Sequence, residues 1–364
     1  MSGNTYNICF FGCWNVGCAE STGQRQLTNE IIKRKEQFNK LIVAGDNVYP
    51  VKTDKSASAV IAIIQTGFNC LNSIDIDTSI ILGNHDAEQT NPGPEPGPGP
   101  KPICMSDIQK SHATGKMHIH DTVTHEQIDC GNFKVNLIYT NTNHFVDDKE
   151  YKKLNCYEPS TKQQIEFDQI NKIRQMVDYS DNTYNFIIGH HPIFYLLHKE
   201  PWTMNDSGLK MNFLVMMKEI SIQLATHGKR LYYLCADEHL YQHFDCLNLT
   251  QIISGTGGAN LDPAQSLGNQ YLVGNKKHPF CENTIKYGAG ISSYGYVSIN
   301  IDEIGVTLKF NALSDLVESI EQKGESIKYN SDNQLEDHVS GLLIPQPKIT
   351  LGGNLSDNKY YIKY

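Results

Sequence analysis

The stretch Thr78-Ser79-Ile80-Ile81-Leu82-Gly83-Asn84-His85-Asp86 decides the fold. It contains the short apolar run Ile80-Ile81-Leu82, and a buried β-strand is predicted over residues 78–82. Gly83 allows a sharp turn at the end of that strand, and an amide oxygen and an imidazole follow directly at Asn84 and His85. Open α/β sheets present their functional side chains at the carboxyl ends of strands. The stretch therefore predicts a strand that delivers side chains to a site.

The same arrangement recurs at four other places, each directly after an apolar run. These segments are Gly12-Cys13-Trp14-Asn15, Gly45-Asp46-Asn47-Val48-Tyr49, Gly189-His190-His191-Pro192 and Ala236-Asp237-Glu238-His239. Taken singly, a Gly-Asp turn is common and a histidine at a strand end is often a core residue. The order and spacing of all five segments favour one site above the sheet, with oxygen, nitrogen and sulfur donors.

Apolar runs alternate with segments of helical period through the first two thirds of the chain, which predicts a sheet with crossover helices. Predicted strands cover residues 6–11, 40–44, 78–82, 135–140, 184–188 and 230–235. Predicted helices cover 24–38 and 56–71 and lie around 165–177 and 214–224. Beyond Gly255 a hairpin is expected from 295–301 and 305–310, with a last β-like stretch at 360–364.

The chain has 364 residues, of which 39% are hydrophobic and 20% are charged, as is typical of a globular protein. A formal net charge of -9 gives no field that would attract nucleic acid or an anionic membrane, so neither is expected as a partner. The sequence carries no signal-peptide pattern and no apolar run long enough to span a membrane. Its ten cysteines are scattered, so we expect an intracellular, cytoplasmic protein with mostly reduced thiols.

Two regions differ from the rest in composition. Residues 91–102 repeat Gly and Pro, which predicts an exposed, semi-extended loop inserted into the domain. Residues 312–364 are polar and form a C-terminal extension without an assigned role, so the expected domain covers residues 1–311. His118, His120 and His125 follow the loop and are interpreted as surface strand histidines, because no distant ligand accompanies them.

The five segments resemble the calcineurin-like metallophosphoesterases, closest to the tartrate-resistant purple acid phosphatases. Gly45-Asp46-Asn47-Val48-Tyr49 is similar to the family's Gly-Asp-x-x-Tyr motif, and Gly83-Asn84-His85-Asp86 matches its Gly-Asn-His-Asp/Glu motif. Cys235-Ala236-Asp237-Glu238-His239 resembles its Cys-Gly-His-x-His segment, and Ser254-Gly255-Thr256-Gly257-Gly258 its Ser-Gly-x-Gly turn. The resemblance runs from about residue 6 to residue 310. It implies an α/β fold that is a four-layered α/β/β/α sandwich of two mixed sheets.

The resemblance also implies a pair of metal ions and a role for each motif residue. Asp46 would bridge the two ions, with Tyr49 and His239 on the first ion and Asn84 and His190 on the second. His85 would lie beside the scissile phosphate, and His191 would line the pocket. A tyrosinate suits a trivalent ion, so iron is implied in the first position, paired with iron, zinc or manganese.

Two positions depart from the family pattern. Cys13 replaces the Asp of the first motif, and Asp237 replaces the first His of the last motif. Cys13 is either a thiolate ligand, which favours zinc over a harder ion, or a small buried hydrophobic residue. Asp237 can bind through oxygen, and we expect it to be a ligand. The chain would then hold two metal ions, or one or none if these positions no longer bind.

The expected function is metal-dependent hydrolysis of a phosphoric ester, as in an acid-phosphatase-like phosphomonoesterase. A water molecule activated by the two ions would attack the phosphoryl group of a phosphorylated small molecule or phosphoprotein. The alternative is a catalytically degenerate protein of the same fold that acts as a binding or structural component, which Cys13 and Asp237 favour.

Overall fold

A computed structural model describes residues 4–17, 23–49, 54–91, 102–196, 205–206, 208–262, 270–273 and 284–313, and the pairs 328–329, 335–336 and 362–363. The predicted Gly-Pro loop lies outside the described residues except at its ends, and so does most of the predicted C-terminal extension. Among the described helices, none combines the length and the apolar character needed to cross a lipid bilayer.

The central strands are short and largely apolar, and in Lys40–Ala44 and Leu231–Cys235 every residue is buried. Strands covered on both faces require such continuous apolar sequence. In chain order the described strands are β1 (Tyr6–Phe11), β2 (Lys40–Ala44), β3 (Thr78–Ile81), β4 (Met117–His120), β5 (Thr124–Asp129), β6 (Lys134–Tyr139), β7 (Thr183–Ile188), β8 (Phe194–Tyr195), β9 (Asn205–Asp206), β10 (Leu231–Cys235), β11 (Tyr241–Cys246), β12 (Leu249–Ser254), β13 (Gln270–Val273), β14 (Thr284–Ile291), β15 (Gly295–Ile301), β16 (Val306–Ala312), β17 (Lys328–Tyr329), β18 (Leu335–Glu336) and β19 (Ile362–Lys363).

The helices of the described residues are amphipathic segments between these strands. They are α1 (Gly23–Lys33), α2 (Ala57–Asn72), α3 (Met105–His112), α4 (Asp148–Tyr151), α5 (Lys162–Met176) and α6 (Met211–Thr226). The hydroxyl of Ser56 caps α2 by accepting a hydrogen bond from the backbone N–H of Ala59. Short 3₁₀ turns follow α1 and β3, at Lys35–Gln37 and His85–Ala87.

The strands form two mixed sheets. Within the described residues the first sheet has the order β19-β16-β15-β1-β2-β3-β4, and the second has the order β13-β14-β11-β12-β10-β7-β6-β5. In the first sheet β1, β2 and β3 run parallel, whereas β15 is antiparallel to β1. In the second sheet β6, β7, β10 and β12 run parallel, whereas β11 is antiparallel to β12. The predicted last strand is found at β19, which pairs with Thr307 and Leu308 of β16.

Three apolar cores separate four layers. The central core joins the inner faces of the two sheets, with Phe10 and Ile42 on one side and Leu137 and Phe186 on the other. A second core packs α1, α2 and α3 onto the outer face of the first sheet, and a third packs α5 and α6 onto the outer face of the second. The predicted α/β/β/α sandwich of two mixed sheets is therefore confirmed.

The cysteines only partly follow the expectation of reduced thiols. Cys104 and Cys156 form a disulfide across 52 residues of sequence, and Cys70 is also disulfide-bonded. Among the described residues, free thiols are found at Cys9, Cys13, Cys130 and Cys235. The expectation was wrong for the disulfide-bonded cysteines, because their pairing depends on loops that only the folded chain brings together.

Candidate metal centre

The five segments singled out in the sequence follow β1, β2, β3, β7 and β10. The strands β1, β2 and β3 are parallel neighbours in one sheet, and β7 and β10 are parallel neighbours in the other, so their carboxyl ends share one side of the molecule. The two sheets meet there closely. A Cβ atom on Gly12 would lie 2.6 Å from the Cβ of Ala236, so the turns after β1 and β10 touch through a glycine.

Three of the predicted ligands have strained backbones. Cys13, Asp46 and Asp237 have φ angles of 52°, 52° and 65°, in the left-handed region that non-glycine residues rarely adopt. Residues held in this region typically cluster at functional sites, where the surrounding structure imposes the conformation. The turns thus direct a thiol and two carboxylates to the same place at a cost in backbone strain.

Asp46 lies at the centre of the cluster and is almost fully buried. Its Oδ2 accepts a hydrogen bond of 2.7 Å from the hydroxyl of Tyr49, and its Oδ1 accepts one of 3.1 Å from the backbone N–H of His85. The same Oδ1 lies 3.4 Å from Nε2 of His190. Gly83 packs so closely that a Cβ there would collide with Oδ1 of Asp46.

Two groups of donor atoms share this carboxylate. Cys13, Asp46 and His239 form one group, and Asp46, His190 and Asp237 form the other. Within each group the donor atoms all lie within 4.8 Å of one another. Two further donors border the groups, because the hydroxyl of Tyr49 lies 3.0 Å from Nε2 of His239, and Oδ1 of Asn84 lies 3.0 Å from Nε2 of His190.

Backbone carbonyls fix the tautomers of both central histidines. Nδ1 of His190 lies 2.7 Å from the carbonyl oxygen of Ala44, and Nδ1 of His239 lies 2.7 Å from that of Asn260. Since a carbonyl oxygen can only accept, each Nδ1 carries a proton and donates it. The Nε2 atoms are thereby directed into the cluster, which is how metal-binding histidines are usually held.

Burial and crowded charges shift the pKa values of the cluster. Burial lowers the pKa of His190, but the carboxylates of Asp46 and Asp237 outweigh it and raise that pKa to about 10. Burial raises the pKa of Tyr49 and of Cys13 well above their usual values, and the charge of Asp46 adds to both effects. Burial also disfavours the charged form of Asp237, yet its hydrogen bond to His190 holds its pKa well below the usual range. A bound cation would favour loss of these protons, as it does at thiol and phenol ligands generally.

His85 and His191 occupy different positions. The side chain of His85 is 38% exposed at the opening of the cluster, with Nδ1 2.8 Å from Oε1 of Glu88. Burial lowers the pKa of His85, but Asp46 and Glu88 outweigh it and raise that pKa to about 9. His191 is buried behind His190, with Nδ1 2.8 Å from the hydroxyl of Thr142, and burial lowers its pKa to about 4.

Comparisons with known proteins identify the fold of this chain. No protein-family model and no curated protein matches the sequence. The purple acid phosphatase PPD1 from yellow lupin (Lupinus luteus) seeds superposes with a TM-score of 0.52 at 12% identity, over 86% of this chain and 52% of that chain. PhoD superposes with a TM-score of 0.50 at 10% identity, over 85% of this chain and 66% of that chain. This chain has the calcineurin-like metallophosphoesterase fold.

A third solved structure matches this chain over a larger share of its own length than these two. GAP50, the anchor in the inner membrane complex of Plasmodium, superposes with a TM-score of 0.54 at 12% identity, over 94% of this chain and 90% of that chain. Identities this low establish the fold alone. The chain spans about half the length of the lupin protein.

The sequence analysis did not identify several residues around this candidate centre. Asp86 was noted within its motif without a role, yet it organises two turns by accepting hydrogen bonds from the backbone N–H groups of Asn47 and Gly83. Glu88 could have been noticed, because it follows His85 by three residues in a turn. Asn260 and Thr142 gave no signal, since distant loops bring them to the site.

The histidines after the Gly-Pro loop require one correction. His118 and His125 are exposed surface strand residues, as expected, whereas His120 is only 9% exposed. Its ring stacks on Tyr139 with centroids 4.0 Å apart, and burial lowers its pKa to about 4. The interpretation of His120 as a surface residue was wrong because its ring packs on Tyr139 of β6 and contacts Thr124 at the start of β5.

Proposed function

We propose that this chain hydrolyses phosphoric esters with the help of two bound metal ions. The observation that carries the proposal is the sharing of Asp46 by two groups of donor atoms at the carboxyl ends of the strands. Oδ2 of Asp46 lies beside Tyr49 and Oδ1 lies beside His190, and a carboxylate whose two oxygens face different donors is suited to bridge two cations. The substrate would be a phosphorylated small molecule or a phosphoprotein.

The residues present fit such a centre. The first ion would be held by Cys13, Asp46, Tyr49 and His239, and the second by Asp46, Asn84, His190 and Asp237. Sulfur, imidazole and carboxylate donors suit zinc in the first position, whereas the phenol of Tyr49 suits a trivalent ion such as iron. When bound, the metal ions supply polarisation of the phosphoryl group and activation of a water molecule.

The chain itself supplies orientation and exclusion of solvent. Asp46, His190 and Cys13 are buried, whereas His85 and Asp237 are partly exposed, so water reaches the centre from the side of these two residues. Glu88 holds Nδ1 of His85, which leaves Nε2 to hydrogen-bond to an oxygen of the phosphoryl or leaving group. The backbone N–H of His85 also donates to Asp46, which fixes the turn that carries the ring next to the shared carboxylate.

The test combines metal content with hydrolysis. Protein purified without chelator is expected to contain metal and to hydrolyse p-nitrophenyl phosphate. His85→Ala should keep the metal and lower the rate by about 10²- to 10⁴-fold, because His85 contacts substrate and not metal. His118→Ala is the matched control, since His118 is an exposed histidine on β4, and should have no effect. Metal-free wild-type protein without hydrolysis would refute the proposal.

A second candidate is a binding or structural protein that has lost catalysis. Two observations favour it: the anchor protein GAP50 matches over 94% of this chain, and Cys13 and Asp237 replace two family ligands. This candidate predicts a stably folded protein that contains no metal and has no phosphatase activity. The same two measurements therefore separate the candidates.

A further inference from the structure

The ring of His85 is held by a carboxylate that sequence analysis did not assign. Oε1 of Glu88 lies 2.8 Å from Nδ1 of His85, and Oε2 of Glu88 accepts a hydrogen bond of 2.5 Å from the ammonium group of Lys55. The ion pair with Lys55 uses Oε2 of Glu88, so Oε1 remains to accept a hydrogen bond from the ring of His85. Tyr49 lies against the same ring, with centroids 5.0 Å apart.

The backbone that carries Glu88 is fixed on both sides. Its carbonyl oxygen accepts a hydrogen bond of 3.0 Å from the N–H of Met105, at the start of α3. The neighbouring carbonyl of Ala87 accepts one of 3.2 Å from the N–H of Cys156, which is disulfide-bonded to Cys104. The backbone N–H of Asn91 donates a hydrogen bond of 2.8 Å to the carbonyl oxygen of Lys55, which joins the segment after Glu88 to the segment that carries Lys55. Such support limits the movement of the Glu88 carboxylate.

If Glu88 had only a structural role, its replacement would change the stability of the protein very little. The Lys55–Glu88 pair is partly exposed, with 31% and 24% of the side chains accessible, and such pairs contribute about 0–1 kcal/mol to stability. The contact to the ring has a different consequence. Because a carboxylate can only accept, Nδ1 of His85 must donate to it, and the ring is then held with Nε2 free.

We propose that Glu88 is a positioning residue that acts through His85, with Lys55 orienting its carboxylate. The inference rests on the proposed phosphoesterase function, and it deepens that function by assigning the group that orients the substrate-contacting ring. A ring free to rotate would spend much of its time in orientations that miss the substrate. Misplacement of a reacting group by about 1 Å commonly costs about 10²-fold in rate.

A double-mutant cycle on the metal-loaded full chain tests the inference. Glu88→Ala is expected to lower kcat for p-nitrophenyl phosphate by about 10- to 100-fold with unchanged metal content. In the His85→Ala background the same change should have almost no further effect, because Glu88 acts only through the ring. Glu88→Gln should recover most of the activity, since its amide oxygen can still accept from Nδ1. Glu219→Ala, which removes the partner of Arg174 in another partly exposed ion pair, is the control.

A second measurement does not depend on activity. In the zinc-loaded protein, the Nδ1–H proton of His85 should give a nuclear magnetic resonance signal protected from exchange with water. The signal should persist in Glu88→Gln and disappear in Glu88→Ala. The inference would be overturned if Glu88→Ala lowered kcat by the same factor with and without His85. It would also be overturned if the Nδ1–H signal of His85 survived in Glu88→Ala. A protected signal in a protein that hydrolyses no ester would refute the proposed function and leave the positioning by Glu88 intact.

Discussion

Gly83→Ala is the substitution expected to damage the metal centre most selectively. An added Cβ would lie 2.8 Å from Cε1 of His190 and would collide with Oδ1 of Asp46. Carbon atoms in contact stay about 3.5 Å apart, so the ring of His190 must retreat by about 0.7 Å. Metal–donor distances tolerate a displacement of about 0.2 Å. We therefore expect metal affinity to fall by about 10- to 100-fold, with a stability loss of about 1–3 kcal/mol from overpacking.

The assay compares metal content and thermal unfolding of Gly83→Ala with those of Gly228→Ala. Gly228 lies in the turn after α6 with φ of 67°, and an added Cβ there would meet no atom within 4 Å. Gly228→Ala should lose about 1 kcal/mol of stability from backbone strain alone and should bind metal like the wild type. If Gly83→Ala bound metal with the affinity of the wild-type chain, the close approach of Gly83 to the donors of Asp46 and His190 could not be the geometry of a metal centre.

Three further predictions concern other parts of the molecule. Elemental analysis should find less zinc in Cys13→Ser and more iron or manganese in Cys13→Asp, because carboxylate is the harder ligand; unchanged metal in both would make Cys13 a structural thiol. Burial holds His120 neutral with its pKa lowered to about 4, so stability should fall as pH drops from 6.5 toward 4. Between pH 7 and pH 5, the free energy of unfolding measured with denaturant should decrease by about 2 kcal/mol less in His120→Phe than in the wild type. An equal decrease in both proteins would contradict this. Replacing residues 92–101 with a short Gly-Ser linker should leave the melting temperature unchanged, because Thr90 and Ile103 are already hydrogen-bonded at the base of the loop; insoluble protein would show that the loop is needed.

The sequence predicted the strands that carry the centre because burial on both faces makes them largely apolar. The strands found at β1, β2 and β3 agree with the prediction to within one residue, and the turn glycines mark where each ends. Asp46 follows the end of β2 and His190 follows the end of β7, and the folded chain brings both into one group of donor atoms. The sequence could also predict the hairpin of β15 and β16, whose alternation is regular.

Other elements could not be predicted because long-range partners decide them. The buried strand β11 contains Gln242, His243 and Asp245, which no apolar pattern would place inside. Their burial is possible because distant groups satisfy them, as when Arg230 donates to Asp245 at 2.8 Å. The position of Glu88 beside His85 likewise depends on α3 and on the Cys104–Cys156 disulfide, which join segments far apart in sequence.

The central claim is that Asp46 bridges two metal positions, and calorimetric titration of the metal-free chain tests it most directly. Wild-type protein is expected to bind one ion at each of the two donor groups. Asp46→Asn should lose binding at both, because the carboxylate that the two groups share is removed. Asp129→Asn, at an exposed strand end, should bind metal like the wild type. Two ions bound by Asp46→Asn with undiminished affinity would contradict the account.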